Sequence, residues 1–248
     1  PCPSPTDRHP SRTMSEHMPR RVLIAADAFK GSATSAEVAA AARRGLQAVW
    51  PDVEIIEREV ADGGGGVLQA VAGSRPGRML TETVSGPLGA PVEAQWWLAD
   101  DDSLAVIEMA EAAGLHLLAP DALDPLRATT AGVGQLIAAA ANAGARALWV
   151  GAGGSATVDG GLGALRALGC RALGELGRPV AEGAEGLIDL ETFSLGVMPR
   201  FPDGVHVLCD VNNPMVGPNG AATVYGPQKG ADEALIPRLE AGLERLCH

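Results

Sequence analysis

Apolar positions first gather in a five-residue run, Val22-Leu23-Ile24-Ala25-Ala26, which by its length and flanks reads as a buried strand. After a loop at 27–33, Thr34-Ser35-Ala36-Glu37 has the form of a capping box. It predicts a helix from there to about Trp50, stopped by Pro51. Val53–Val60 reads as a second strand, and another helix starts after Asp62-Gly63-Gly64-Gly65-Gly66. Strand, loop and helix, twice over, is the rhythm of a parallel α/β sheet.

The pattern then changes. Met79–Ser85 and Val92–Leu98 alternate about Gly86-Pro87-Leu88-Gly89, as in an antiparallel hairpin. Asp100-Asp101-Asp102 reads as a solvated turn before the strand Leu104–Glu108 in preference to its alternative, a metal cluster, because consecutive side chains diverge. This change of topology places a domain crossing near residues 75–80. The α/β rhythm returns with a helix over Val133–Asn142, a strand at Ala147–Val150, the loop Gly151–Thr157 and a Gly/Ala/Leu-rich helix to Gly169. Val205–Cys209 reads as a further buried strand, ending in Asp210-Val211-Asn212-Asn213-Pro214. From Asp232 onward Leu235, Leu239, Leu243 and Leu246 recur at helical spacing, and the chain stops two residues later without a Gly or Asn cap. No internal repeat of fixed period occurs.

Composition narrows the function classes. A formal charge of −11 over 248 residues argues against a nucleic-acid partner, which calls for a basic face. No apolar run approaches the roughly 20 residues of a membrane span, and 46% apolar residues is too many for a disordered chain. The length admits one large α/β domain or two smaller ones. The four cysteines, Cys2, Cys170, Cys209 and Cys247, are scattered, form no CxxC pair and fit a reducing cytoplasm. Cys170 and Cys209 fall in apolar runs and read as small core residues. Residues 1–20 are rich in Pro, Ser and Arg and have no apolar stretch of a signal peptide, so they read as a disordered extension or as a start assigned upstream of Met14 or Met18.

Of 19 basic residues only two are lysines, Lys30 and Lys229, each followed by glycine. In a chain that otherwise uses arginine, a retained lysine points to a site needing a compact point charge rather than a planar fork. Four loops at the carboxyl ends of predicted strands carry the remaining candidate chemistry. Asp27–Ser32 offers a carboxylate, a lysine and a hydroxyl. Asp62–Gly66 offers a carboxylate and bare backbone. Gly151–Asp159 joins a glycine nest to Ser155, Thr157 and Asp159, and Asp210–Asn213 supplies a carboxylate and amides. There is no GxxxxGK[ST] motif, and the GxG at Gly151 lacks the acidic residue of a dinucleotide site. Glycine nests, two selected lysines and strand-end carboxylates together suit phosphoryl transfer, which requires donors on phosphate oxygens, carboxylates for Mg²⁺ and a base for a hydroxyl.

The stretches VLIAADAFKGSATSAEVA, VADGGGGV, SGPLGAPV, AVIEMAEAAGL, GAGGSATVDGGLGALRALG and CDVNNPMVGPNGAATVYGPQKGA resemble, in order, those of the glycerate kinase family typified by bacterial D-glycerate 2-kinases. The resemblance covers nearly all of residues 21–245. It implies ATP-dependent phosphorylation of D-glycerate to a phosphoglycerate, with ATP and Mg²⁺ as cofactors. It also implies two α/β domains, one flavodoxin- or Rossmann-like and one with a mixed β-sheet. On this reading residues 21–78 begin the flavodoxin-like domain, and 79–248 form the second domain, ending in a helix that leads back toward the first. Relatives continue past this point, so the chain reads as C-terminally truncated, with its first sheet incomplete and one edge exposed.

The resemblance implies catalytic candidates Asp27, Lys30, Asp62, Asp159 and Asp210, with Asp62 and Asp210 also candidates for the metal. Cofactor-binding candidates are Ser32, Gly63, Gly64, Gly153, Gly154, Ser155, Thr157, Asn213, Gln228 and Lys229. Departures from the family's usual residues stand at Ala28, Gly65, Val67, Gln135 and Val158, and they remove charge or polarity expected near the site. The alternative is a catalytically silent or truncated relative that only binds a sugar acid or nucleotide. Neither a nucleic acid nor a membrane is an expected partner; homodimerisation is left open.

Overall fold

The computed structural model describes residues 19–27, 29, 32–61, 63 and 65–247. The expected extension at 1–20 lies outside the described residues apart from Pro19 and Arg20. The chain divides into two compact units, one up to Glu59 and one from Val60.

In the first unit, strand β1 (Arg21–Ala26), helix α1 (Ser35–Val49) and strand β2 (Glu54–Glu59) follow in order. The strands pair in parallel, Arg21 opposite Glu54 through Ala26 opposite Glu59. The predicted capping box is present. Thr34 Oγ1 accepts from the Glu37 amide at 3.2 Å, and the Glu37 carboxylate accepts from the Thr34 amide at 2.8 Å. These bonds hold the Glu37 carboxyl below its usual pKa. Arg43 on α1 and Glu57 on β2 form a two-pronged ion pair, with contacts of 2.6 and 2.7 Å. The expectation of a buried β1 needs correction: only Ile24 is buried and Leu23 is 61% exposed. Strand side chains alternate, and α1 packs on β1, so the strand has one covered face within this unit.

The second unit opens with α2 (Val67–Ala72), followed by β3 (Gly77–Ser85), β4 (Pro91–Ala99), β5 (Leu104–Glu108), the short α3 (Ala110–Ala113), α4 (Ala131–Asn142) and β6 (Ala147–Gly151). Next come α5 (Leu162–Ala167), β7 (Arg171–Leu173), α6 (Gly183–Ile188), β8 (Thr192–Ser194), β9 (Gly204–Leu208), α7 (Ala221–Tyr225) and α8 (Ile236–Cys247). A five-stranded mixed sheet has the order β3-β4-β5-β6-β9; β3, β4 and β5 are antiparallel, and β5, β6 and β9 run parallel.

Alternation sorts this sheet into two layers. Trp96 on β4 joins Leu98, Ile107 and Leu148 against Leu136 of α4. Its neighbour Trp97 points the other way and packs with Val106, Leu104 and Val67, Leu68 and Val71 of α2. That contact groups α2 with the sheet, so the compact units change at Val60, upstream of the 75–80 stretch where the alternation changes. A third cluster joins Leu162 of α5, Leu187 of α6 and Leu239 and Leu243 of α8, which places the predicted leucine stripe on the buried face of α8.

Two expectations of burial are overturned. The strand at 204–208 is a sheet edge rather than a buried strand, with Val205 55% and Val207 63% exposed. Cys209, just after it, is exposed rather than core, whereas Cys170 is buried. The ribbon of β7 with β8 pairs three residues with three and is too short to show a period in the sequence.

Candidate active site

Strands β5, β6 and β9 are parallel, so their carboxyl ends lie along one edge, and the loops that follow are knitted together there. The Ala152 amide donates to the Leu208 carbonyl at 3.0 Å and the Gly153 amide to the Gly63 carbonyl at 3.0 Å. The Ala156 amide donates to the Ala113 carbonyl at 2.8 Å. Gly63 has φ +95°, and a Cβ there would stand 2.8 Å from the Leu208 carbonyl oxygen, which only glycine avoids. The loop at 151–157 thus spends the amides of residues 152, 153 and 156 on holding three loops in register. The glycine nest expected at Gly153 and Gly154 is in large part a structural knot.

Beyond this knot opens a cavity of about 510 Å³, lined by Ser155, Thr157, Asp159, Asn213 and Lys229 together with Met109, Thr130 and Tyr225. Five of the predicted site residues, drawn from three separate stretches of chain, therefore share one wall-to-wall space.

Asp159 organises the site. It is 1% exposed, and its carboxylate accepts four hydrogen bonds: from the Thr130 amide and hydroxyl at 2.9 and 2.8 Å, and from the Gly161 and Gly163 amides, both at 3.1 Å. A buried carboxylate needs this saturation, because an unpaired one is too costly. Two of its donors lie at the start of α5, where free amides and the helix dipole favour a negative charge.

Lys229 lies in the 3₁₀ turn Pro227–Lys229 and is buried. Its Nζ donates to Ser155 Oγ at 2.8 Å and to the Thr157 carbonyl at 2.7 Å. Burial pulls its pKa down to about 8, with the Asp159 charge opposing the shift. The following Gly230, at φ +96°, presses on Leu123, where a Cβ would approach Leu123 Cβ to 2.8 Å. That glycine is what lets the chain turn away directly after burying a lysine. Asn213 is occupied in its own loop: its Nδ2 donates to the Asn219 carbonyl at 2.9 Å, and its Oδ1 accepts from the Tyr225 hydroxyl at 2.6 Å.

The remaining predicted residues stand elsewhere. Asp27 and Ser32 belong to the first unit. Lys30, Asp62 and Gly64 lie outside the described residues. Asp210 and Gln228 are exposed and do not line this cavity. Among the described residues there is no cluster of three or more His, Cys, Asp or Glu side chains that could cage a metal. The Mg²⁺ of a nucleotide site does not need such a cage, since it keeps waters and phosphate oxygens and takes one or two carboxylates. Asp210 at the end of β9 has the hard oxygen chemistry such an ion requires.

Reading the sequence missed Thr130, Met109 and Tyr225 in the cavity, and also Glu108. Glu108 is buried at the end of β5 and accepts from the Leu68 amide at 3.1 Å, capping α2 where Gly66 supplies no side chain. The signal was available for Glu108, a carboxylate closing an otherwise apolar strand. The family departures are also reassigned by position. Val67 is a buried member of a core cluster, Val158 is buried in another and also lines this cavity, and Gln135 accepts from the Ser85 amide at 2.7 Å, away from this cavity. Gly65 stands in open space, and Ala28 is outside the described residues.

A mixed α/β sheet with a cavity beside the carboxyl ends of its parallel strands, largely apolar but with several convergent polar groups, has the form of a small-ligand site. Residues 22–248 match the glycerate kinase family as a whole. The chain is 43% identical over 229 residues to glycerate kinase of Bacillus subtilis, covering 92% of this chain and 60% of that protein. It is 41% identical over 225 residues to glycerate 2-kinase of Escherichia coli, covering 90% and 59%. A solved structure of a Salmonella typhimurium LT2 protein described as a glycerate kinase 2 superposes with a TM-score of 0.81 at 39% identity, covering 93% of this chain and 62% of that one. The chain belongs to the glycerate kinase family, and it spans about 60% of the length of these relatives.

Proposed function

We propose that the protein is a glycerate kinase that transfers the γ-phosphoryl group of ATP to a hydroxyl of D-glycerate. The observation carrying this reading is the cavity that gathers Ser155, Thr157, Asp159, Asn213 and Lys229 at the ends of parallel strands, in a chain matching the family over residues 22–248. Phosphoryl transfer rests on positioning and charge stabilisation more than on covalent chemistry. A buried ammonium behind a serine hydroxyl suits the holding of an anionic substrate, because low dielectric strengthens the interaction. With four bonds to its carboxylate, Asp159 is an organiser of the site. That leaves Asp27, Asp62 and Asp210 as candidates for the base that accepts the glycerate hydroxyl proton and for the metal. Mg²⁺, when bound with the nucleotide, would neutralise phosphate charge, and Asp210 is the described carboxylate suited to it. Lys30 and Ser32 are proposed as phosphate donors. The departure at Val67, a core position away from this cavity, does not favour a silent relative, whereas Val158 lines the cavity and leaves a polar group out of it.

No helix among the described residues is long and apolar enough to cross a membrane, and a cytoplasmic setting is part of the same proposal. The test is ATP-dependent phosphorylation of D-glycerate by the full-length protein, with product regiochemistry read by ³¹P NMR. Turnover is expected, and Lys30→Arg should reduce it severely despite the retained charge. No turnover with D-glycerate would refute the reading.

A further inference from the structure

Lys229 is buried, and its Nζ is engaged with groups of the protein itself. An ammonium has three N–H donors and no acceptor. Two of its donors are directed at Ser155 Oγ and the Thr157 carbonyl. Ser155 Oγ therefore accepts a hydrogen bond from Lys229, and its own O–H has to turn away from the ammonium. Among the described residues nothing else is hydrogen-bonded to that hydroxyl, and Ser155 and Lys229 line the same cavity. The amides of Gly154 and Ser155 likewise make no bond among the described residues, whereas their neighbours at 152, 153 and 156 do.

We propose that Lys229 is a positioning residue that aims the Ser155 hydroxyl into the cavity, where hydroxyl and flanking amides bind one oxyanion of the ligand. The oxyanion is a carboxylate or phosphate oxygen; the acid substrate and the nucleotide both carry one. This proposal rests on the kinase reading only for the choice of those two ligands. An arginine cannot substitute, because its planar fork does not fit two acceptors gathered around a single nitrogen. The lysine retained in an arginine-rich chain thereby acquires a physical reason.

The arrangement has a second state. A neutral amine at Lys229 carries a lone pair, so the Ser155 hydroxyl can donate back to it and is withdrawn from the cavity. The aim of the donor thus follows the proton on Lys229, whose pKa burial brings to about 8. Among the described titratable groups around Lys229, Asp159 acts on it through its charge, and each has at least one hydrogen bond within the protein. Asp159 is held by its four donors, Tyr225 donates to Asn213, and Glu108 caps α2. Asp232 accepts from the Leu235 amide, and Glu240 on α8 accepts from the Gly217 amide.

The test is calorimetric binding of D-glycerate and, separately, of ADP to the full-length protein between pH 6.5 and 9.5. It is run on wild type, Ser155→Ala, Ser155→Thr and Lys229→Met, with ATP-dependent phosphorylation measured in parallel. At pH 7 Ser155→Ala should weaken one of the two ligands on the order of tenfold or more, as expected for a lost bond to a charged acceptor, and leave the other nearly unchanged. The weakened ligand names the source of the oxyanion. Wild-type affinity for it should decline above about pH 8, and that decline should be absent from Ser155→Ala and Lys229→Met. Ser155→Thr, which keeps the hydroxyl, should restore both affinity and decline. Unchanged binding in Ser155→Ala, or an alkaline decline that persists in it, overturns the proposal and leaves the kinase reading intact. Ser155-dependent ADP binding without phosphorylation does the reverse, and binding of neither ligand overturns both.

Discussion

Replacing Lys229 by Met removes a titrating group whose folded-state pKa is about 8, against roughly 10.4 for a lysine in an unfolded chain. Between these values the unfolded chain binds a proton that the folded protein does not, so stability rises with pH across that window. The contribution is complete above the unfolded value and is lost as pH falls through about 8. Each pKa unit corresponds to about 1.4 kcal/mol, so the protonated, buried lysine should cost about 3 kcal/mol at neutral pH. Met fills similar space and has no proton to gain or lose. The difference in unfolding free energy, wild type minus Lys229→Met, should therefore increase by about 3 kcal/mol between pH 7 and 10.5. Loss of the bonds to Ser155 and Thr157 shifts the difference at neutral pH, but the subsequent rise belongs to the titration. Urea unfolding followed by fluorescence of Trp96, Trp97 and Trp149, in a Trp50→Phe background that silences the tryptophan of the first unit, measures it. A difference that stays flat within about 1 kcal/mol would refute the burial argument.

Three further outcomes follow from the packing. Asp159→Asn presents an NH₂ group where the carboxylate meets only donors, and should destabilise the second unit by about 2–4 kcal/mol. It also removes the charge that raises the Lys229 pKa, so Lys229 should titrate lower in ¹³C-lysine NMR, which has only two lysines to resolve; an unmoved titration contradicts the coupling. Gly63→Ala meets both a positive φ and the Leu208 carbonyl, whereas Gly66→Ala meets a positive φ in open space. Denaturation should show a loss of about 2 kcal/mol or more for the first and about 1 for the second, and equal losses would remove the case for close backbone approach. Thr34→Ala should cost about 1 kcal/mol through the lost cap, read as faster amide exchange in α1; unchanged exchange there would count against the box.

Local chemistry was legible wherever one element contains its own cause. The capping box at Thr34, the hairpin about Gly86–Gly89 and the leucine stripe of α8 each follow from residues a few positions apart. The site was legible as loops but not as a place. Ser155, Thr157 and Lys229 stood out by type and spacing, while Thr130 did not, because a threonine before a helix reads as an ordinary cap. Its function depends on a carboxylate 29 residues away. Glu108 was missed although it closes an apolar strand in the manner of the other candidates. Residue type alone also misjudged exposure: Val205 and Val207 read as core, yet β9 is a sheet edge.

The sequence by itself determined the α/β class, the restriction of lysine to two positions and the glycine-rich loops at strand ends, because these depend on period, composition and short-range backbone preference. Only the tertiary structure decided that Asp159 is spent on four donors, that the glycine nest ties loops together and that Lys229 is sunk behind Ser155. Hydrogen-bond saturation and desolvation depend on which distant groups burial brings within about 3 Å, and no local pattern of residues encodes that.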